Sequence, residues 1–190
     1  QRTTAGLGAA AATGLGTREA VTHAAVNRAN RLPREVWVAT VSLEGLEAKT
    51  HQEMIPKVLR RLEEVEACGP DIVCLPEVFP FLTISDRPPL AEVAEKPLGP
   101  ISTAMAEFAK RAGCYVVCPI YTQDSGRFYN SAVVIDRQGK PLGEYRKIHP
   151  TISETEKGIV PGPVEPPVFK TDFGVIGVQI CYDINWPDGW

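Results

Sequence analysis

Hydrophobic and polar positions alternate along the chain in blocks with different periods, and the blocks follow a regular order. Residues 36–43, Val-Trp-Val-Ala-Thr-Val-Ser-Leu, are rich in β-branched side chains and predict a buried strand starting just after Pro33. From about Lys49 to Cys68, Met54, Ile55, Val58, Leu62 and Val65 recur at helical spacing among Lys, Arg and Glu, and Gly69-Pro70 ends the helix. Asp71 to Leu75 is a short apolar run closed by Pro76 and Glu77, a second buried strand that leaves Glu77 at its C-terminal end. Strand, helix, strand at this length is a crossover unit of a sheet with helices packed on it, so the expected fold class is α/β. Phe79 to Pro97, with its prolines, reads as a surface loop, and Ser102 to Arg111 as a helix closed by Gly113. Strands over 115–121, 131–136 and 142–147 follow, joined by Gly-bearing turns. A polar loop over 149–167 leads to a last apolar run, 174–181, read as a strand carrying Cys181 to its end.

Composition narrows the function classes. Of 190 residues, 44% are hydrophobic and 23% charged, the profile of one soluble globular domain. Twenty Lys and Arg against 23 Asp and Glu leave a net charge of −3, with no basic run of the kind that tracks phosphates, so nucleic acid is not an expected partner. Residues 3–17 are uncharged and rich in Ala, Gly and Thr. They are too short for a membrane span, which takes about 20 residues, and no membrane association is expected. Their mildness suits the remnant of a twin-arginine-like export signal, against the plainer reading of an N-terminal extension, although no Arg-Arg pair is present. Residues 1–33 are therefore set apart from a domain over 34–190. The five cysteines contain no C-x-x-C pair and are accompanied by only three histidines, so a zinc site is not expected.

Three apolar segments end in a reactive side chain: Glu77, Lys147 and Cys181. Chemistry in sheets flanked by helices gathers at strand ends, where loops shape a pocket on a rigid support. Each residue alone has a plainer explanation, as a capping carboxylate, a solvated cation and a buried filler. The three together, in order, are harder to dismiss.

The context of these residues resembles the nitrilase or carbon–nitrogen hydrolase superfamily, in its amidase-like branch. Leu75-Pro76-Glu77, Tyr129-Asn130-Ser131-Ala132, Gly143-Glu144-Tyr145-Arg146-Lys147-Ile148-His149, Val160-Pro161-Gly162 and Ile180-Cys181-Tyr182-Asp183 follow in the family's order from about Val36 to Trp190. The resemblance implies a nitrilase-like four-layer α-β-β-α sandwich that dimerises, and a Glu-Lys-Cys triad whose chemistry calls for no cofactor. Cys181 is then the nucleophile, Glu77 the general base and acid, and Lys147 the stabiliser of the tetrahedral intermediate. A second glutamate supports the lysine from the following loop. Glu154 and Glu156 both qualify, with a slight lean to Glu156. The resemblance also implies that family members continue well beyond the position of Trp190, so the chain is expected to be C-terminally incomplete, exposing sheet edges and an apolar face.

Chemistry agrees with these roles. A free thiol is mostly protonated at neutral pH and needs a neighbouring base or cation to attack an amide. The resemblance further implies an amide or ureido (N-carbamoyl) substrate rather than a nitrile, since family members acting on nitriles usually carry Trp-Glu after the nucleophile and amidase-like members often carry Tyr-Asp, as at Tyr182-Asp183. The rivals are a Cys-His hydrolase using His149 and a non-catalytic assembly or binding module that keeps the fold. Phe79, Phe81, Tyr129, Trp186 and Trp190 are candidates for the acyl pocket, against the commoner role of aromatics as core.

Overall fold

The computed structural model describes residues 35–96 and 98–187. The N-terminal segment read as an extension or export-signal remnant, and Trp190, lie outside the described residues.

A five-stranded sheet is formed by β1 (Val38–Thr40), β2 (Ile72–Cys74), β3 (Tyr115–Asp124), β4 (Arg127–Ile135) and β5 (Pro141–Arg146), side by side in chain order. β1, β2 and β3 are parallel, and β3, β4 and β5 antiparallel. Parallel neighbours need crossover connections, and these carry α1 (His51–Glu66) and, between β2 and β3, the short α2 (Leu90–Val93) and α3 (Pro100–Ala112). The antiparallel pair β3–β4 closes through Ser125-Gly126, both at positive φ, the backbone that matches the twist of a two-residue hairpin.

The period-2 alternation of the long strands divides the core in two. Val116, Cys118, Ile120, Val133 and Ile135 face Met54, Val58 and Leu62 of α1 and Met105 and Phe108 of α3. Tyr115, Val117, Ala132, Val134 and Tyr145 point the other way, onto Phe169 and Ile180. Phe169 belongs to a separate hairpin, β6 (Phe169–Thr171) with β7 (Gly174–Ile176). The described residues thus stack as helices, main sheet and a second small sheet, the α/β class expected. Because β3 and β4 are covered on both faces, they read as nearly continuous apolar runs.

Three segments depart from the sequence reading. The strand over 36–43 is only three residues long and forms the sheet edge, with Val38 64% exposed. The stretch after Glu77 is not all surface: Phe79, Pro80 and Phe81 form a buried 3₁₀ turn, because two aromatics at that point fill the gap between α1 and the sheet. The run over 174–181 does not stay a strand to its end. It leaves β7 at Ile176, and Cys181 opens a second 3₁₀ turn, Cys181–Asn185.

That turn is tied to β5 by one buried carboxylate. Asp183, 2% exposed, accepts the Tyr145 hydroxyl (2.6 Å) and the Ile180 N–H (3.1 Å) on Oδ2, and the His149 N–H (2.8 Å) on Oδ1. It therefore holds residues on both sides of Lys147 to the residue before Cys181. Tyr145→Phe is expected to cost about 1–2 kcal/mol of unfolding free energy, and Asp183→Ala about 3 kcal/mol, since three buried donors then lose their acceptor. Chemical denaturation of the two variants checks the order; equal, negligible losses would contradict the tie.

Candidate active site

Each functional side chain is placed by a break in regular structure. β2 ends at Cys74, and Leu75 still donates its N–H to Val117 O (3.3 Å) before Pro76 and Glu77 leave the sheet. Val78 then turns the chain at φ 43°, a left-handed conformation that is an outlier for a β-branched residue. Cys181 has φ 47°. Two of the four non-glycine residues with positive φ among those described thus adjoin or form the candidate site, and strain of this kind clusters at functional positions.

Lys147 follows β5 directly. Its N–H donates to Asn130 O (2.8 Å) and its carbonyl accepts the Gly162 N–H (2.8 Å). Only glycine fits at 162, since a Cβ there would fall on the Arg146 carbonyl and lie 2.7 Å from the Arg146 Cβ. This close approach gives the Val160-Pro161-Gly162 segment its purpose: it fastens the loop after Lys147 back onto β5.

The lysine ammonium is buried, at 1% side-chain exposure, between two carboxylates. Nζ donates to Glu77 Oε1 at 2.9 Å and to Glu154 Oε2 at 2.8 Å. Asn130, in β4, bridges the same pair from the other side, its Nδ2 donating to Glu77 Oε1 (2.7 Å) and Glu154 Oε1 (2.6 Å). Burial alone would depress the Lys147 pKa, but hydrogen bonds to Glu154 and Glu77 outweigh it and raise the pKa above its ordinary value. Burial likewise opposes the charged form of Glu154, yet the bonds from Lys147, the Thr151 N–H and Asn130 hold its pKa below the usual carboxylate value. The Cys181 thiol is pushed up by burial and then by the Glu77 charge and a hydrogen bond to that carboxylate, against the opposing pull of Lys147. At neutral pH the cluster therefore holds a protonated thiol and a charged ammonium.

The fold brings Glu77, Lys147, Cys181 and Glu154 together and leaves Glu156 out. The lean towards Glu156 is corrected by helical geometry. Thr151 caps α4 (Ile152–Glu156) and Glu154 is the third residue of its capping box, so its carboxylate turns back over the cap towards Lys147. Two residues later the helix has turned by about 200°, and Glu156 is exposed. The Thr151-x-x-Glu154 pattern was the signal that separates the two.

His149 stacks on Trp186, with ring centroids 4.7 Å apart. Of the aromatics considered for a pocket, Phe79 and Tyr129 are buried in the fold and Phe81 forms part of a cavity wall. Asn130, Asp183 and Tyr121 were not foreseen as parts of the site. A polar Asn130-Ser131 pair inside an apolar strand, and an Asp two residues after the cysteine, were their visible traces. Among the described residues, no group of three or more His, Cys, Asp or Glu side chains is arranged to hold a metal ion.

The comparisons with known proteins agree on one family. The carbon–nitrogen hydrolase family model matches residues 37–190. A nitrilase from Pyrococcus abyssi is 34% identical over 135 residues, covering 70% of this chain and 50% of the relative. A beta-ureidopropionase from Arabidopsis thaliana is 31% identical over 68% of this chain and 34% of its own length, and an omega-amidase from Xenopus laevis 30% identical over 77% and 55%. The chain thus spans between about a third and just over half of the length of these curated relatives. Among solved structures, an amidase from Nesterenkonia sp. superposes with a TM-score of 0.66 at 20% identity, over 80% of this chain and 58% of that one. A carbon–nitrogen hydrolase from Helicobacter pylori G27 gives 0.64 at 19%, over 81% and 54%. The fold is that of the nitrilase-like neighbours, and the chain belongs to the carbon–nitrogen hydrolase family.

Proposed function

We propose that the protein hydrolyses a carbon–nitrogen bond of a small-molecule amide or N-carbamoyl compound through a thioester on Cys181. The observation that carries this reading is the buried Lys147 ammonium held between Glu77 and Glu154, with the Cys181 thiol within electrostatic reach of both Glu77 and Lys147. Names of relatives support the substrate class, since an omega-amidase and a beta-ureidopropionase are among them, as does an amidase from Nesterenkonia sp. AN1 solved with acrylamide.

In the proposed course, Cys181 Sγ attacks the carbonyl carbon as its proton passes to Glu77. The carbonyl oxygen becomes an oxyanion facing the Lys147 ammonium. Nζ has three donors, of which two go to Glu77 and Glu154, leaving one for the oxyanion. The N–H groups that open the Cys181–Asn185 turn add further donors there; one such donor is worth about 3 kcal/mol of barrier. Glu77 returns the proton to nitrogen as the C–N bond breaks and ammonia or an amine leaves. Water, deprotonated by Glu77, then attacks the thioester. The acid departs, a carboxylic acid from an amide or, from an N-carbamoyl compound, a carbamic acid that goes on to lose CO2, and the thiolate regains the proton from Glu77. Glu154 keeps its charge throughout, so Lys147 stays protonated while Glu77 gains and loses a proton.

Ammonia release from a panel of amides, N-carbamoyl amino acids and nitriles tests the assignment. Cys181→Ala is expected to lower turnover by about 10³-fold or more and Glu154→Gln by about 10²-fold, with Glu156→Gln within twofold of the parent. Activity surviving in Cys181→Ala would sink the mechanism. Site-resolved alkylation of Cys181 against pH is expected to titrate above the ordinary thiol value of 9.0. Glu77→Gln should move that titration down and Lys147→Met up, because the two charges act on the thiol with opposite sign. Glu154, with its pKa lowered on folding, contributes stability above the ordinary carboxylate value of 4.5 that is lost as pH falls through the folded value. Glu154→Gln should therefore flatten the acid limb of a stability profile measured by denaturation.

A further inference from the structure

Asn130 is 1% exposed, yet only one end of its amide is satisfied. Nδ2 donates to Glu77 Oε1 (2.7 Å) and to Glu154 Oε1 (2.6 Å), whereas the buried Oδ1 has no hydrogen-bond partner among the described residues. Ionised carboxylates only accept, so the nitrogen is the end that must face them. Buried polar side-chain atoms are normally paired. An amide whose oxygen goes unpaired while its nitrogen serves two carboxylates is oriented by the cluster, since β4 itself is held by its backbone ladder to β3 and β5.

The two glutamates spend their oxygens differently. Glu154 uses both: Oε2 accepts the Lys147 ammonium (2.8 Å), the Thr151 N–H (2.8 Å) and the Thr151 hydroxyl (2.9 Å), and Oε1 accepts Asn130. Glu77 uses one. Lys147 Nζ (2.9 Å) and Asn130 Nδ2 (2.7 Å) both reach Oε1, and no N–H or O–H of the described residues donates to Oε2. The Cys181 thiol lies within electrostatic reach of this half-used carboxylate, which is also the more exposed of the two, at 31% against 14%.

We propose, building on the hydrolytic reading above, that Asn130 is a positioning residue that separates the tasks of the Glu77 oxygens: together with Lys147 it pins Oε1, and the protons of the reaction travel on Oε2. Oε2 takes the proton from Sγ as sulfur bonds to the carbonyl carbon, and gives it to nitrogen as the C–N bond breaks. It then takes a proton from the water that attacks the thioester and returns it to Sγ. Oε1 goes on accepting from both donors through all four transfers, so the carboxyl group keeps one orientation. Glu154, with both oxygens already filled, offers the proton no alternative place.

Alkylation of Cys181 against pH reads the pinning without turnover. Asn130→Leu frees the Glu77 carboxylate to turn towards water, so the thiol titration is expected to fall, as in Glu77→Gln. Added to Glu77→Gln, Asn130→Leu should move it no further, the non-additivity of a residue that acts through another. Asn130→Ser, whose hydroxyl is too short to reach both carboxylates, serves the same comparison where leucine prevents folding. In turnover, Asn130→Leu should lower kcat by about 10²-fold, with KM for the amide within about threefold of the parent. Asn130→Asp offers a conditional rescue, because an aspartate has a donor only when protonated. The ionisable groups of this cluster are Glu77, Glu154, Lys147, the Tyr121 phenol and the Cys181 thiol, and two carboxylates against one ammonium favour the protonated aspartic acid. Relative to the parent, kcat should therefore rise as pH falls in Asn130→Asp and stay level in Asn130→Leu. A thiol shift of equal size with and without Glu77, or a kcat unchanged in both Asn130 variants, would overturn the inference. A shift that disappears in the Glu77→Gln background, with no ammonia released from any amide by the parent protein, would uphold the pinning of Glu77 and refute the hydrolytic reading instead.

Discussion

The arrangement depends on keeping one ammonium charged where water scarcely reaches it. Lys147 is 1% exposed, and an isolated cation there would lose its proton or force the site open. Two carboxylates remove that difficulty, and they do so unequally. Glu154 is held by the capping box of α4 as well as by Lys147 and Asn130, with 14% of its side chain exposed. Glu77 is 31% exposed and also faces the Cys181 thiol. In the proposed course, charge storage and proton transfer then fall to different glutamates. A lysine with a single partner would be left unpaired each time that partner took a proton.

The remaining structure fixes the distances within this cluster. The main sheet supplies three of its members from neighbouring strands or strand ends: Glu77 after β2, Asn130 within β4 and Lys147 after β5. The cysteine comes from a different region, beyond the β6–β7 hairpin, and needs a separate tether. Asp183 provides it by collecting donors from Tyr145, His149 and Ile180. The left-handed backbone at Val78 and at Cys181 turns the chain sharply beside the proposed base and at the proposed nucleophile. Gly162 allows the loop bearing α4 to close on β5, which brings Glu154 within reach of the ammonium.

Much of this was legible in the chain because the period of the apolar residues follows the layers. The spacing of Met54, Val58 and Leu62 marks the buried face of α1, and the continuous runs of β3 and β4 reflect burial on both sides. The ends of elements were harder to read, for physical reasons. Val175 and Ile176 look like the start of a strand that runs on to Cys181, but the chain leaves the sheet there so that the Ile180 N–H can reach Asp183 rather than a neighbouring strand. Phe79 and Phe81 lie among prolines, which conceal a buried turn inside what looks like a surface loop. The choice between Glu154 and Glu156 could not be made by counting residues along a loop, because the segment is a helix and its cap decides which glutamate turns inward.

The central claim is that Cys181 carries the acyl group while Glu77 moves protons and Glu154 holds Lys147 charged. Rapid acid quench of the protein during turnover of a slow amide, followed by mass spectrometry of its peptides, tests it most directly. The account predicts the mass of the acyl group, minus the leaving amine, on the peptide containing Cys181. Ammonia released in step with turnover while that peptide stays unmodified, or an acyl group on a different side chain, would contradict it.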